Sequence, residues 1–168
     1  PQLVATAVAF LPGAQDGWTW AVDDVRRYCR GEVDLQTALD PVHAVADAAA
    51  RMHVAFARSG TTTAPAEAVI AWAAQYREEL HEALQVLTGA SKELLQARAT
   101  RIAGAYDQLE SIDATPVMAI HGDFHVGQVL RHADGYAITD FDGNPVVPPS
   151  ERDRPQAAAV DVVGMLAS

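Results

Sequence analysis

Apolar residues recur at helical spacing over the first two thirds of the chain and gather into short runs over the last third. Leu3–Leu11 is apolar and partly β-branched, which predicts a strand broken at Pro12-Gly13. Asp16 is placed to cap a helix from about Gly17 to Arg30, ended by Gly31. Asp40-Pro41 reads as a second start, with proline at the first helical position. That helix runs through His43, Ala46, Ala50, His53 and Ala57 and should stop near Gly60. Thr61–Ala64 reads as a loop, and Pro65 opens a third helix to about Leu87. Ser91 caps a fourth, with Leu94, Leu95, Ile102, Tyr106 and Leu109 on its apolar side.

The pattern then changes. Pro116–Ile120 predicts a short buried strand, and Gln128–His132 with Tyr136–Asp140 a hairpin around Ala133-Asp-Gly135. Pro145–Pro155 is irregular, and Gln156–Ser168 begins an alanine-rich helix. The expected class is α+β, mostly α-helical: a helical body carrying a small β-hairpin. Trp18, Trp20 and Trp72 are expected in the core, His53 as a packed, hydrogen-bonded core histidine, and Cys29 as a half-buried helix residue.

Composition narrows the choices. With 168 residues and 49% hydrophobic content, the chain can bury a substantial core as one domain. Twelve basic against 22 acidic residues give a net charge of −10, which argues against a nucleic-acid partner. It does not argue against ATP, whose phosphates are neutralised locally by magnesium and a few placed cations. No apolar run reaches the length of about eighteen residues that a membrane span needs, and PQLVATAVAFLPG lacks the basic start of a signal peptide. Cys29 is the only cysteine, so no internal disulfide is possible, which suits a reducing cytoplasm.

The candidate chemistry lies in the last third. His121-Gly-Asp-Phe-His-Val-Gly-Gln128 is followed by Thr139-Asp-Phe-Asp-Gly143. Asp123 thus has an amide, Gln128, five residues on, and a carboxylate, Asp140, twelve after that. Phosphoryl transfer uses such a set: one carboxylate orients the acceptor hydroxyl and takes its proton, while an amide oxygen and a second carboxylate hold magnesium. His121 and His125 also have ligand-like spacing, but a zinc hydrolase recruits further ligands later in the chain, and no histidine follows His132.

The spacing resembles the protein-kinase loop H-R-D-x-x-x-x-N with D-F-G downstream. It resembles more closely the H-G-D-x-H-x-x-N loop of the kinase-like small-molecule phosphotransferases, the aminoglycoside phosphotransferases and their sugar-kinase relatives. Gln128 in place of asparagine is similar to the actinobacterial maltokinases and glucosamine kinases. Phe10-Leu-Pro-Gly-Ala-Gln-Asp-Gly-Trp18 and Pro149-Ser-Glu-Arg-Asp-Arg-Pro155 also look like that group.

The resemblance implies that residues 1–168 are a single domain, part of the C-terminal lobe of a kinase-like fold with the hairpin presenting the catalytic loop. The glycine-rich ATP loop and its lysine are then expected in an N-terminal lobe preceding Pro1; the only lysine here, Lys92, falls in the fourth helix. It implies ATP and magnesium as cofactors, Asp123 as catalytic base, and Gln128 and Asp140 as magnesium ligands. His121 would pack the base of the loop, His125 support it or lie near the transferred phosphate, and Asp161 accept hydrogen bonds from its amides. Maltokinases read D-F-E-G-E-P where this chain reads Asp140-Phe-Asp-Gly-Asn-Pro145. Asp142 and Asn144 are therefore the positions expected to bear on the acceptor, and their form is similar to the glucosamine kinases. The implied activity is transfer of the γ-phosphate to glucosamine, giving the 6-phosphate. Maltose and then an aminoglycoside are the alternative acceptors, and a pseudo-kinase binding module is the non-enzyme alternative. Glu151, Arg152 and Arg154 could line the sugar cleft or form surface ion pairs.

Overall fold

The structure, a computed structural model, describes residues 9–148, 152 and 154–168. It is mostly helical with two small two-stranded sheets, and the chain divides into two compact units. One unit comprises Pro1–Gly60 and Met118–Ser168, the other Thr61–Val117.

The first unit begins with α1 (Gly17–Cys29). Asp16 caps it as expected, accepting from the Thr19 amide at 3.1 Å and the Thr19 hydroxyl at 2.5 Å. The next helix, α2 (Leu35–Ser59), starts earlier than Asp40-Pro41. Asp34 supplies the cap by accepting from the Thr37 amide at 2.8 Å, so Pro41 lies inside the helix and forfeits one backbone bond. The buried positions of α2 are Val45 and Met52, one heptad apart; His43, Ala46, Ala50 and Ala57 are exposed.

The hairpin follows a short 3-10 turn at Val126–Gln128 and consists of β3 (Val129–His132) and β4 (Gly135–Ile138). They pair antiparallel with Val129 opposite Ile138 and His132 opposite Gly135. The core cluster is Trp20, Val45, Phe124 and Val129, with Tyr136, Ile138 and Met165 packed against it. Trp20 donates its indole N–H to the Val129 carbonyl at 2.9 Å, which satisfies the buried donor and ties α1 to the hairpin. Arg131 reinforces the tie: it donates to Asp24 at 2.7 Å and lies 5.5 Å over the Trp20 ring. The last helix, α5 (Ala159–Leu166), closes this unit.

The second unit holds α3 (Ala66–Val86) and α4 (Gly89–Glu110), packed on each other, and β1 (Thr61–Pro65) paired with β2 (Ala114–Met118). Arg77 of α3 bridges to Asp107 at 2.6 Å and also to Glu110, both on α4. Tyr76 and Tyr106 meet at 6.0 Å between ring centroids, and burial pushes the Tyr76 phenol above its ordinary pKa.

Several expectations need correction. Residues 61–65 are a strand, not a loop, because a pairing partner some fifty residues away supplies the ladder. The partner strand lies at Ala114–Met118, slightly before the expected Pro116–Ile120. The fourth helix begins at Gly89, and Ser91 lies inside it. Cys29 is exposed at the end of α1. Trp18 is 52% exposed, whereas Trp20 is buried; residues two apart point to opposite sides of a helix. Of the strand expected over Leu3–Leu11, residues 3–8 lie outside the described residues, and 9–11 are not a strand.

The two caps carry a pH signature. Hydrogen bonds from Thr19 hold the Asp16 carboxyl below its ordinary pKa of 3.8, and those from Thr37 do the same for Asp34. A depressed folded-state pKa contributes stability that is present above the unfolded value and lost as pH falls through the folded one. The Thr19 and Thr37 amide resonances should therefore move together with carboxyl titrations whose midpoints lie below 3.8. Midpoints at or above that value would show that the caps do not form in solution.

Candidate active site

The loop from Ile120 to Gln128 is held from two sides at very short range. On one side is α1: a Cβ on Gly17 would overlap the Val126 carbonyl oxygen. On the other is α5: a Cβ on Gly164 would lie 2.6 Å from the Phe124 carbonyl oxygen. Glycine at both places lets the helix backbones touch the loop backbone directly.

Asp161, in the first turn of α5, anchors the beginning of the loop. Its carboxylate accepts from the His121 amide and the Gly122 amide, each at 2.9 Å. It also meets His53 Nε2 of α2 at 2.9 Å, and its side chain is fully enclosed. A buried carboxylate is tolerable only when its lone pairs are occupied, and here three donors occupy them.

His121 links the loop to the end of the hairpin. Its Nδ1 accepts from the Asp123 amide at 3.4 Å, so Nε2 carries the proton and donates to the Thr139 carbonyl at 2.8 Å. The ring is buried and lies between Phe124 and Phe141, at centroid distances of 5.3 Å and 5.0 Å. The residue before Asp140 is thereby tied to the residues before Asp123.

Asp140 has φ 62°, the only positive φ of a non-glycine residue among the described residues. Aspartate is one of the few side chains that visit this region, and such outliers concentrate at functional sites. The turned backbone brings the Asp140 carboxylate to 3.2 Å from the Gln128 side-chain amide. The amide nitrogen donates to the carboxylate here; rotation of the Gln128 amide about its terminal bond would turn its oxygen toward the same point as the Asp140 carboxylate. Both are hard donors, and a pair of protein ligands completed by water and phosphate oxygens is what magnesium accepts. The donor set fits that ion. Among the described residues, no group of three or more His, Cys, Asp and Glu side chains forms a metal-holding cluster.

Asp123 is half-buried, and among the described residues nothing hydrogen-bonds to its carboxylate. His125 accepts from the Gly127 amide at 3.0 Å through Nδ1, and its Nε2 is 3.5 Å from the Gln128 amide nitrogen. Trp18 stacks on the His125 ring at 6.1 Å.

Asp142 is exposed and lines a cleft of about 350 Å³ together with Phe56, Ile120, Phe141 and Arg152. Asn144 directs its side-chain oxygen inward, accepting from the Val146 amide at 3.0 Å. Arg152 lines the cleft too, and its guanidinium donates to the Val147 and Pro145 carbonyls at 2.7 Å and 2.8 Å; among the described residues it has no ion-pair partner. Arg154 is exposed at the same cleft, and Glu151 lies outside the described residues. A second concavity of about 380 Å³, around Asp24, Asp40, Arg131 and Tyr136, contains none of the sequence-predicted residues.

Sequence reasoning missed the place of His53 in this site. Its partner lies 108 residues away, and no local pattern announces such a bond.

No family model matches the chain. A glucosamine kinase of Streptacidiphilus jiangxiensis is 53% identical over 168 residues, all of this chain and 38% of that protein. A glucosamine kinase of Mycolicibacterium smegmatis is 40% identical over 166 residues, 99% of this chain and 41% of that protein. A solved glucosamine kinase in complex with glucosamine, ADP and inorganic phosphate superposes with a TM-score of 0.89, over 95% of this chain and 40% of that one. Crystal form A of a glucosamine kinase, 53% identical, superposes with a TM-score of 0.91 over 96% of this chain and 38% of that one. The chain thus spans about two fifths of the length of the relatives it matches. Sequence and fold agree over nearly all of it, and on both counts the chain is similar to glucosamine kinases over about two fifths of their length.

Proposed function

We propose that this chain is the catalytic-loop-bearing part of an ATP-dependent kinase that phosphorylates glucosamine, giving glucosamine 6-phosphate. The observation that carries the reading is the meeting of the Gln128 amide and the Asp140 carboxylate beside a loop whose Asp123 carboxylate is free. The similarity to glucosamine kinases over two fifths of their length supports it. In this reading residues 1–168 form part of a C-terminal lobe, and the hairpin presents the catalytic loop. The lobe that holds most of the ATP belongs to sequence outside this chain.

Asp123 orients the acceptor hydroxyl in line with the γ-phosphate and takes its proton late in the transfer. Gln128 and Asp140 would hold magnesium, which when bound would screen the nucleotide phosphates. His121 and Asp161 keep the loop in register with the hairpin end, and His125 supports Gln128. Asp142 faces the acceptor. The Asn144 oxygen already accepts from the Val146 amide in its own turn, which leaves its amide nitrogen as the freer group for a substrate. The lone Cys29 leaves no internal disulfide, in keeping with the cytoplasmic location we assign. No helix among the described residues is long and apolar enough to cross a membrane.

The test is a substrate comparison with the full-length protein and magnesium-ATP. Glucosamine should be preferred over glucose and maltose, by about ten- to a hundred-fold if a carboxylate meets its ammonium. Asp142→Ala should then erase much of that preference. Equal losses on all three sugars would place Asp142 at the metal instead of the acceptor. Absence of magnesium-dependent ATP turnover with any of them would remove the kinase reading in favour of a pseudo-kinase.

A further inference from the structure

The segment after Asp140 and Phe141 makes a turn with little internal support. Gly143 has φ 74°, the left-handed region open to glycine. Asn144 then accepts from the Val146 amide through its side chain at 3.0 Å, and its carbonyl accepts from the Val147 amide at 3.1 Å. Among the described residues, the side chain that secures this turn from outside is Arg152. Nε donates to the Val147 carbonyl at 2.7 Å, and a terminal nitrogen donates to the Pro145 carbonyl at 2.8 Å. Its backbone amide returns to the Pro148 carbonyl at 3.3 Å. The aliphatic stem lies over Gly143: a Cβ there would sit 3.5–3.7 Å from Arg152 Cβ, Cδ and Cγ. Arg152 and Asp142 also border the same cleft of about 350 Å³.

We infer that Arg152 is a positioning residue for the acceptor side of the site: it latches the turn at Gly143–Pro148 and so fixes Asp142 at the cleft. The inference rests on the proposed reading of Asp142 as facing the acceptor. Arginine suits the task because its planar fork reaches two carbonyls at once. Lysine carries the same charge on a single point and cannot hold both. The latch lies downstream of Asp140, and the bonds that hold Asp123, Gln128 and Asp140 do not pass through it. Its loss should therefore act on acceptor binding more than on nucleotide binding or chemistry.

Arg152→Ala and Arg152→Lys in the full-length protein separate these effects. Hydrogen exchange reads the latch directly and needs no assumption about activity. The Val146 and Val147 amides should exchange about ten-fold faster in Arg152→Ala, while the His121 and Gly122 amides, held by Asp161, stay unchanged. Steady-state kinetics reads the consequence. The KM for glucosamine should rise about ten-fold in Arg152→Ala, the loss expected for one charge-assisted hydrogen-bond set. Arg152→Lys should lie between it and the wild type, with the KM for ATP unaltered and kcat changed less than the glucosamine KM. Unchanged exchange at Val146 and Val147 overturns the latch. Faster exchange with an unchanged glucosamine KM overturns the positioning role, as does a uniform loss of kcat and both KM values. A wild-type protein that phosphorylates no sugar defeats the kinase reading and the acceptor role together, while the exchange measurement still decides the latch.

Discussion

Asp123→Asn in the full-length protein should lower sugar phosphorylation by about 10²–10⁴-fold, the usual cost of removing a general base, with nucleotide affinity nearly unchanged. The expectation follows from what surrounds the residue. The Asp123 side chain is half-buried and has no partner among the described residues, so asparagine fits the same space without stranding another group. The Asp123 backbone amide continues to donate to His121, so the loop keeps its geometry. Gln128 and Asp140 contact each other without it, so metal and nucleotide binding stay intact. The change removes only the ability to orient a hydroxyl as a donor and accept its proton. Rapid-quench turnover and equilibrium titration with a nucleotide check the two halves of this expectation. A variant that keeps most of the wild-type rate would move the base elsewhere.

Asp161→Ala should be costly in a different way. It strips the acceptor from the buried His121 and Gly122 amides and from His53. An unsatisfied buried donor costs about 1–3 kcal/mol, and bonds to a charged acceptor are at the upper end. Loss of roughly 3–5 kcal/mol of folding stability is expected on that basis. Asp161→Asn should recover part of it, since one oxygen remains while an NH₂ group now faces a donor. Activity should fall in both, because the amides of His121 and Gly122 set the path of the chain into Asp123. Denaturant unfolding of the full-length variants measures the first effect and turnover the second. A stability change within about 0.5 kcal/mol, the range of an uncoupled surface substitution, would show that the three donors find other partners.

The two expected results differ because the two aspartates do opposite things. Asp123 is half-buried, and its carboxylate has no partner among the described residues. Asp161 is closed by the fold and available only to the protein. Nothing in the identity of the residues distinguishes them; only burial and the count of donors does.

Much of the local architecture was legible because it is written in nearest neighbours. The Asp16 cap and the Gly17–Cys29 helix depend on contacts within three or four residues, and so does the span of α3. The hairpin was also legible, since Ala133-Asp-Gly135 supplies the turn between arms of matching pattern. The helix start read from Asp40-Pro41 failed: Asp34, not read as a start from the sequence, caps the helix by accepting from the Thr37 amide. The face read through His43, Ala46, Ala50 and Ala57 of this alanine-rich helix is exposed instead. The core decided on Val45 and Met52, where larger side chains meet Trp20 or fill the interior.

The spacing of Asp123, Gln128 and Asp140 singled out, from sequence alone, three positions, and the structure brings two of them, Gln128 and Asp140, to 3.2 Å of each other. Five and twelve residues are distances a loop and a hairpin bridge locally. Tertiary structure decided everything that depends on distant segments meeting. It paired Thr61–Pro65 with a strand about fifty residues on, exposed Trp18 over His125, and brought His53 to Asp161 across 108 residues. It also turned Arg152 onto the carbonyls after Gly143. The physical reason is that capping, turns and periodicity are set by the chain's own neighbours. Burial and hydrogen-bond satisfaction are properties of a packed interior, and they exist only once remote segments have excluded water from between them.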